Sequence, residues 1–205
     1  MDTQTIAVAG GGIGGLSAAL GLSKKGFDVV VLEKASELGE IGAGIQLGPN
    51  AFHALDYFGV GVAARDKAVF IDMLRLMDAV SGEEIIHIPL DEPFRERFGN
   101  PYAVIHRADL HGVLLDACRA RENIELRVNS EVEGYTNTAA GVSVRLAGGD
   151  ALAADVLIGA DGLWSNVRGS VVDDGPPRVS GHSTYRSVIP FAQMPEELRW
   201  NAATL

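Results

Sequence analysis

The chain has 205 residues, which allows one complete domain and part of a second at about 150 residues per domain. Its composition, 47% apolar and 21% charged, is globular and excludes disorder along the whole chain. A net charge of −10 without any Lys- or Arg-rich run argues against nucleic acid as a partner.

Cys118 is the single cysteine, so an intrachain disulfide, a CxxC redox pair and a cysteine-based metal site are excluded. The five histidines show no metal-ligand spacing, and no metal is expected. The sequence has neither a signal peptide nor an apolar run of about 18 residues. We therefore expect a cytoplasmic protein with no membrane partner.

The first elements predict a βαβ unit. Residues 6–9 are a short apolar run, typical of a buried parallel strand. Residues 16–25 read as a largely buried helix that Gly26 ends, and residues 28–33 as a second buried strand. Two strands joined by a helix predict a parallel sheet.

The next segment is rich in glycine and proline. Residues 36–50 contain too many glycines and prolines for one regular element. Asn50 is placed to cap a helix over 51–58. We then predict two strands and a loop: 71–79 and 84–90, joined by a turn at 81–82, and a polar loop over 93–101.

The second half returns to alternating elements. Asp109 opens a helix with an apolar stripe from Leu110 to Cys118. Ser165 is placed to cap a short helix through Val171, and the breakers at 173–177 indicate a domain boundary. The predicted strands are 102–106, 124–128, 142–146, 155–160 and, in a second domain, 182–191.

Gly10, Gly12 and Gly15 form a GxGxxG pattern between the first strand and the first helix. In that context the glycines permit a tight turn, close approach of backbone to a pyrophosphate, and packing of helix on strand. The helix start, at Ile13 and Gly14, offers amide groups and partial positive charge to the phosphates. A glycine turn without a ligand is the alternative.

Glu33 ends the second strand, 18 residues after Gly15. This is the expected place of the acid that accepts hydrogen bonds from the ribose hydroxyls, and it would repel a 2′-phosphate. We place Lys34, the next residue, in the same site. The fingerprint alone does not distinguish FAD from NAD.

Three further segments narrow the choice. They are Gly42-Ala43-Gly44-Ile45-Gln46 with Pro49-Asn50, His106-Arg107-Ala108-Asp109-Leu110, and Gly159-Ala160-Asp161-Gly162 followed by Ser165, Val167 and Arg168. Together with the fingerprint they resemble the single-component flavoprotein aromatic hydroxylases, the para-hydroxybenzoate hydroxylase-like family. Within it the sequence is most similar to the 3-hydroxybenzoate 6-hydroxylases, followed by the salicylate hydroxylases.

The resemblance implies an α/β fold: a Rossmann-like FAD-binding domain with a parallel sheet over 1–172, and the beginning of a β-rich substrate domain over 173–205. The hairpin within 71–99 would contribute to the substrate domain. The chain also lacks the family's later Gly-Asp flavin motif, so we expect an N-terminal part that binds FAD weakly and turns over nothing alone.

The resemblance also implies roles for single residues. Gly44 and Ile45 would lie near the flavin ring. Arg107 would contact the ribityl or pyrophosphate portion, a surface ion pair being the alternative. Asp161 and Gly162 would lie near the same portion, with a simple turn acid as the alternative for Asp161. The catalytic residues are unknown, and the candidates are Gln46 and Tyr185.

The implied activity is hydroxylation of a hydroxybenzoate-type aromatic acid. FAD would be reduced by NADH or NADPH and would use O₂, and the full-length protein is a candidate homodimer. Three alternatives stay open: a salicylate 1-hydroxylase, an NAD-dependent dehydrogenase, and a non-catalytic dinucleotide-binding module.

Overall fold

The computed structural model of the protein describes residues 3–40, 42–183, 189–199 and 201–204, with the backbone alone at Glu197. The strands are β1 Thr5–Ala9, β2 Asp28–Leu32, β3 Gly44–Leu47, β4 Val69–Phe70, β5 Met73–Met77, β6 Glu84–Pro89, β7 Ala103–His106, β8 Ile124–Arg127, β9 Val132–Thr138, β10 Gly141–Leu146, β11 Ala151–Ala154, β12 Val156–Gly159 and β13 Ala202–Thr204. The helices are α1 Ile13–Ser23, α2 Pro49–Phe58, α3 Gly61–Lys67, α4 Glu92–Phe98, α5 Arg107–Arg119 and α6 Asn166–Val172.

The described residues divide into two compact units. The first takes the chain up to Glu40 and then His111–Ser183, and the second takes the residues between 41 and 110 and those after 183. The predicted boundary at 172/173 concerns the substrate domain of a longer protein and stays a prediction. None of the described helices is long and apolar enough to cross a bilayer.

The first unit is built on a parallel sheet in the order β12-β1-β2-β8. The apolar residues of its two middle strands, 6–9 and 29–32, are all buried, as strands covered on both faces should be. The predicted βαβ unit and the α/β fold class are therefore confirmed. Gly26 follows α1 with φ +90°, a conformation that glycine adopts without a steric penalty.

An antiparallel sheet in the order β11-β10-β9 packs on one face of this parallel sheet. Val142 and Val144 of β10 share a core cluster with Ala7 and Leu32 of the parallel strands. Of this second sheet the sequence predicted only β10, because β11 is rich in alanine and β9 carries several polar residues. Neither strand shows a clean alternation of apolar and polar side chains.

The second unit contains two three-stranded sheets, in the orders β3-β7-β4 and β13-β5-β6. The predicted hairpin is confirmed, because β5 and β6 pair antiparallel with Leu74 opposite Ile88. The prediction that residues 36–50 contain no regular element is wrong, because β3 lies in this segment and pairs antiparallel with β7. Pairing with a strand distant in sequence overrides the glycine content there.

Two further predictions, the cap at Asn50 and the loop over 93–101, are wrong because a proline lies in the first turn of each helix. Helix α2 begins at Pro49 with Gly48 as its N-cap, so Asn50 lies inside the helix and does not cap it. The predicted loop over 93–101 contains α4, which has Pro93 in its first turn and ends at Gly99 with φ +70°. Proline is favoured in a first helical turn because the N–H that it lacks has no partner there.

The remaining differences lie at element ends. Helix α5 begins at Arg107, two residues before the predicted start at Asp109. The predicted helix capped by Ser165 is confirmed, since its hydroxyl accepts a hydrogen bond from the Arg168 amide. Most of the strand predicted over 182–191 lies outside the described residues, and Phe191–Gln193 forms a 3₁₀ turn.

Candidate dinucleotide-binding site

Three strands of the first unit end at one edge of the parallel sheet. Gly10 follows β1, Glu33 follows β2, and Ala160 follows β12. The Gly10 amide donates to Leu32 O at 2.8 Å, and the Ala160 amide donates to Ala9 O at 2.8 Å. Ligands of open α/β sheets bind outside such carboxyl ends, so this edge is the candidate site.

Gly10 and Gly15 each occupy a place that no larger residue fits. Gly10 has φ +103°, and a Cβ there would lie 2.4 Å from Ala160 O. A Cβ at Gly15 would lie 1.9 Å from Gly10 O. The first turn of α1 is therefore held directly against the loop that leaves β1.

The start of α1 presents its backbone without a side-chain cap. Gly12 is the N-cap residue, and the first turn carries no acidic side chain. Gly14 is exposed, and apart from its chain neighbours and the backbone of α1 nothing lies within 4 Å of the place its Cβ would take. The amides at Ile13 and Gly14 thus belong to a helix end suited to an anion.

Glu33 turns back onto the glycine loop. Its Oε2 accepts from the Gly11 amide at 2.7 Å, and its Oε1 accepts from the Ala35 amide at 2.9 Å. Lys34 between them is exposed. Each carboxylate oxygen has a second lone pair, so the same group can accept from a hydroxyl.

The turn after β12 is held by hydrogen bonds from α6. Asp161 Oδ1 accepts from the Ser165 hydroxyl at 2.5 Å, and Oδ2 accepts from the Val167 amide at 3.2 Å. Gly162 has φ +77° and open space at its Cβ position. Asp161 therefore shapes this turn, and Arg168 pairs with Asp174 in the following loop.

The other predicted residues lie in the second unit, along β3 and at the start of α5. Gly44 and Ile45 are on β3, and the Arg107 amide donates to Ala43 O at 3.2 Å. A Cβ at Gly42 would lie 3.0 Å from Arg107 Cδ, so the glycine leaves room for that side chain.

Gln46, the first of the two catalytic candidates, is hydrogen-bonded within the second unit. Its Oε1 accepts from the Tyr102 hydroxyl at 2.6 Å. Burial raises the pKa of Tyr102, which keeps that hydroxyl a donor. Tyr185, the second candidate, lies outside the described residues.

His111 is a residue of this region that sequence reasoning missed. It is 2% exposed, and its Nε2 lies 2.8 Å from Gly11 O. The signal was available: His111, Leu114, Leu115 and Cys118 follow the spacing of a buried helix face, and a polar residue on such a face needs a partner. Among the described residues, no cluster of side chains could hold a metal ion.

Comparison with known proteins decides the family. Residues 2–188 match the family model described as the FAD binding domain. The chain belongs to this family. The resemblance to flavoprotein hydroxylases that the motifs indicated is confirmed.

Two curated relatives are 3-hydroxybenzoate 6-hydroxylases. The enzyme from Aquipseudomonas alcaligenes is 60% identical over 98% of this chain and 51% of its own length. The enzyme from Klebsiella oxytoca is 51% identical over 97% of this chain and 50% of its own length. The chain thus spans about half the length of the curated relatives it matches.

Solved structures agree with this assignment. The tetrameric form of 2-methyl-3-hydroxypyridine-5-carboxylic acid oxygenase gives a TM-score of 0.72 at 31% identity, over 84% of this chain and 43% of that one. HpxO from Klebsiella pneumoniae, complexed with FAD and uric acid, gives a TM-score of 0.70 at 31% identity. The match covers 85% of this chain and 43% of the HpxO chain.

Proposed function

We propose that this chain supplies the FAD-binding part of a flavoprotein monooxygenase that hydroxylates 3-hydroxybenzoate at position 6. The co-substrates in this proposal are NADH or NADPH and O₂. One observation carries it: two 3-hydroxybenzoate 6-hydroxylases are 60% and 51% identical to nearly the whole chain.

The residues of the first unit fit the ADP half of FAD. Gly10, Gly11 and Gly12 carry no side chain of their own where a pyrophosphate would approach, and no side chain caps the helix start. Glu40 lies close by, with its Oε1 3.4 Å from the place that a Gly12 Cβ would take. Glu33 lies beside that loop with lone pairs left for ribose hydroxyls. In this proposal Asp161 and Gly162 line the same edge next to the ribityl chain.

When bound, FAD supplies the redox and oxygen chemistry that the side chains of the protein lack. The role of this chain is to bind FAD and to orient it. The amides of the α1 start would hold the phosphates, and the Glu33 carboxylate would hold the ribose. Gly44, Ile45 and Arg107 in the second unit are proposed to contact the flavin portion, with Gln46 as a hydrogen-bonding group for the substrate.

The test is made on a protein that carries this chain and has the full length of its relatives. We expect 3-hydroxybenzoate to stimulate NADH or NADPH oxidation together with O₂ consumption, and 2,5-dihydroxybenzoate to form. Salicylate is the matched control, because it differs only in the position of the hydroxyl group.

The outcomes separate the alternatives. Stimulation by salicylate alone, with catechol as product, would identify a salicylate 1-hydroxylase and overturn the substrate assignment. Nicotinamide turnover that consumes no O₂ would indicate a dehydrogenase. A protein that binds dinucleotide and responds to neither acid would be a non-catalytic binding module.

A further inference from the structure

His111 makes a hydrogen bond whose direction is fixed by chemistry. A carbonyl oxygen accepts and does not donate, so the Nε2 that lies 2.8 Å from Gly11 O must carry the hydrogen. The ring is 2% exposed, so water does not compete freely for this contact. His111 therefore holds the Gly11 carbonyl from inside the first unit.

Because the peptide bond is planar, the orientation of the Gly11 carbonyl also fixes the direction of the Gly12 N–H. All described peptide bonds are trans, so the C=O and N–H of each peptide unit point in opposite directions. With Gly11 O held toward His111, the Gly12 N–H must point away from it. Gly12 is the N-cap residue of α1, so its amide belongs to the candidate phosphate-binding end.

The preceding peptide is fixed in the same way from another side. Glu33 accepts from the Gly11 N–H at 2.7 Å, so Gly10 O points away from Glu33. That oxygen is the atom against which Gly15 is packed. Two consecutive peptide planes of a loop made only of glycine are thus oriented by two side chains. Such a loop has the largest backbone freedom to lose, so fixing it before binding favours affinity.

We propose that His111 is a positioning residue of the dinucleotide site, which aims the Gly12 amide at the pyrophosphate. The inference rests on the proposed function, because it takes the ligand to be FAD. His111 itself touches neither phosphate nor flavin in this proposal. Its effect should therefore depend on the phosphates of the ligand and on a donor at position 111.

The experiment compares His111→Leu with His111→Gln in this chain, by calorimetric titration with ADP and with adenosine. Leu removes the donor, whereas the Gln amide can place an N–H at a similar reach. We expect His111→Leu to weaken ADP binding about tenfold, the size of one hydrogen bond, and to leave adenosine binding unchanged. His111→Gln should recover most of the ADP affinity.

Val144→Ala is the control for lost stability. Val144 is fully buried in the same unit, on β10, and it makes none of the hydrogen bonds that hold the loop. Its truncation should therefore lower the melting temperature and leave those hydrogen bonds in place. An equal loss of ADP affinity in Val144→Ala and His111→Leu would overturn the inference. So would an equal loss of ADP and adenosine affinity in His111→Leu.

If His111→Leu fails to fold, a measurement on the wild-type chain still tests the inference. The Gly12 amide proton resonance should move when ADP is added, and the His111 Nε2 proton should remain observable. A Gly12 resonance that ADP does not move, in a chain that binds ADP, overturns the inference alone. A wild-type chain that binds neither ADP nor FAD contradicts the proposed site and the role of His111 together.

Discussion

Replacing Gly15 with Ala is expected to lower the affinity for FAD about a hundredfold, because the new Cβ would lie 1.9 Å from Gly10 O. A backbone oxygen cannot turn aside as the end of a side chain can. Gly10 cannot retreat either, since its amide is bonded to Leu32 O and its Cα faces Ala160. Helix α1 must move instead, and a strain of about 3 kcal/mol corresponds to the hundredfold loss.

The measurement is FAD titration by fluorescence together with thermal unfolding of the same samples. Gly112→Ala is the matched control, since Gly112 lies inside α5 and, apart from its chain neighbours and the backbone of α5, nothing lies within 4 Å of its Cβ position. Alanine there should raise helix stability by up to about 1 kcal/mol and leave FAD affinity unchanged. A Gly15→Ala variant that binds FAD as the wild type does would contradict the close approach.

Replacing Glu33 with Gln is expected to weaken FAD binding about thirtyfold. The carboxylate accepts from the Gly11 and Ala35 amides, and it is proposed to accept from ribose hydroxyls. The NH₂ group of Gln would face one of the amide or hydroxyl donors and could not accept from it. Loss of a charge-assisted hydrogen bond costs about 2 kcal/mol. Titration with FAD measures the change.

The sign of this effect is informative because simple Coulomb attraction predicts the opposite. FAD carries a negative pyrophosphate, so removal of a nearby negative charge should strengthen binding. Glu37→Gln is the control, since Glu37 is exposed in the same turn and its replacement removes the same charge. We expect equal or slightly tighter binding for Glu37→Gln. Tighter binding for Glu33→Gln as well would show that Glu33 does not hold the ribose.

The candidate site residues that the structure brings together in the first unit follow from local sequence pattern. Gly10, Gly12 and Gly15 lie between a buried strand and a helix, and Glu33 closes the next strand. Each of these positions follows from strand order and from the rule that parallel strands end at one edge. The structure brings them together in the first unit, with the Gly11 amide bonded to Glu33.

Two features that the sequence does not reveal, strand β3 and the contact of His111, depend on partners distant in the chain. Strand β3 exists because β7 pairs with it across about 60 residues, and no count of glycines within 36–50 reveals that. For His111 the sequence indicates only the absence of metal-ligand spacing, because its partner is a backbone oxygen 100 residues earlier. Helix α4 was missed for a local reason: Pro93 lies in the first turn, where proline is tolerated.

We propose above all that the loop at Gly10–Gly15 and the start of α1 hold the ADP half of FAD, with Glu33 on the ribose. The most direct test follows the backbone amide resonances of the isotopically labelled chain during titration with ADP and then with FAD. We expect the largest shifts on Gly11, Gly12, Ile13, Gly14 and Ala35 for both ligands. Shifts confined to other residues, or none with either ligand at millimolar concentration, would contradict it.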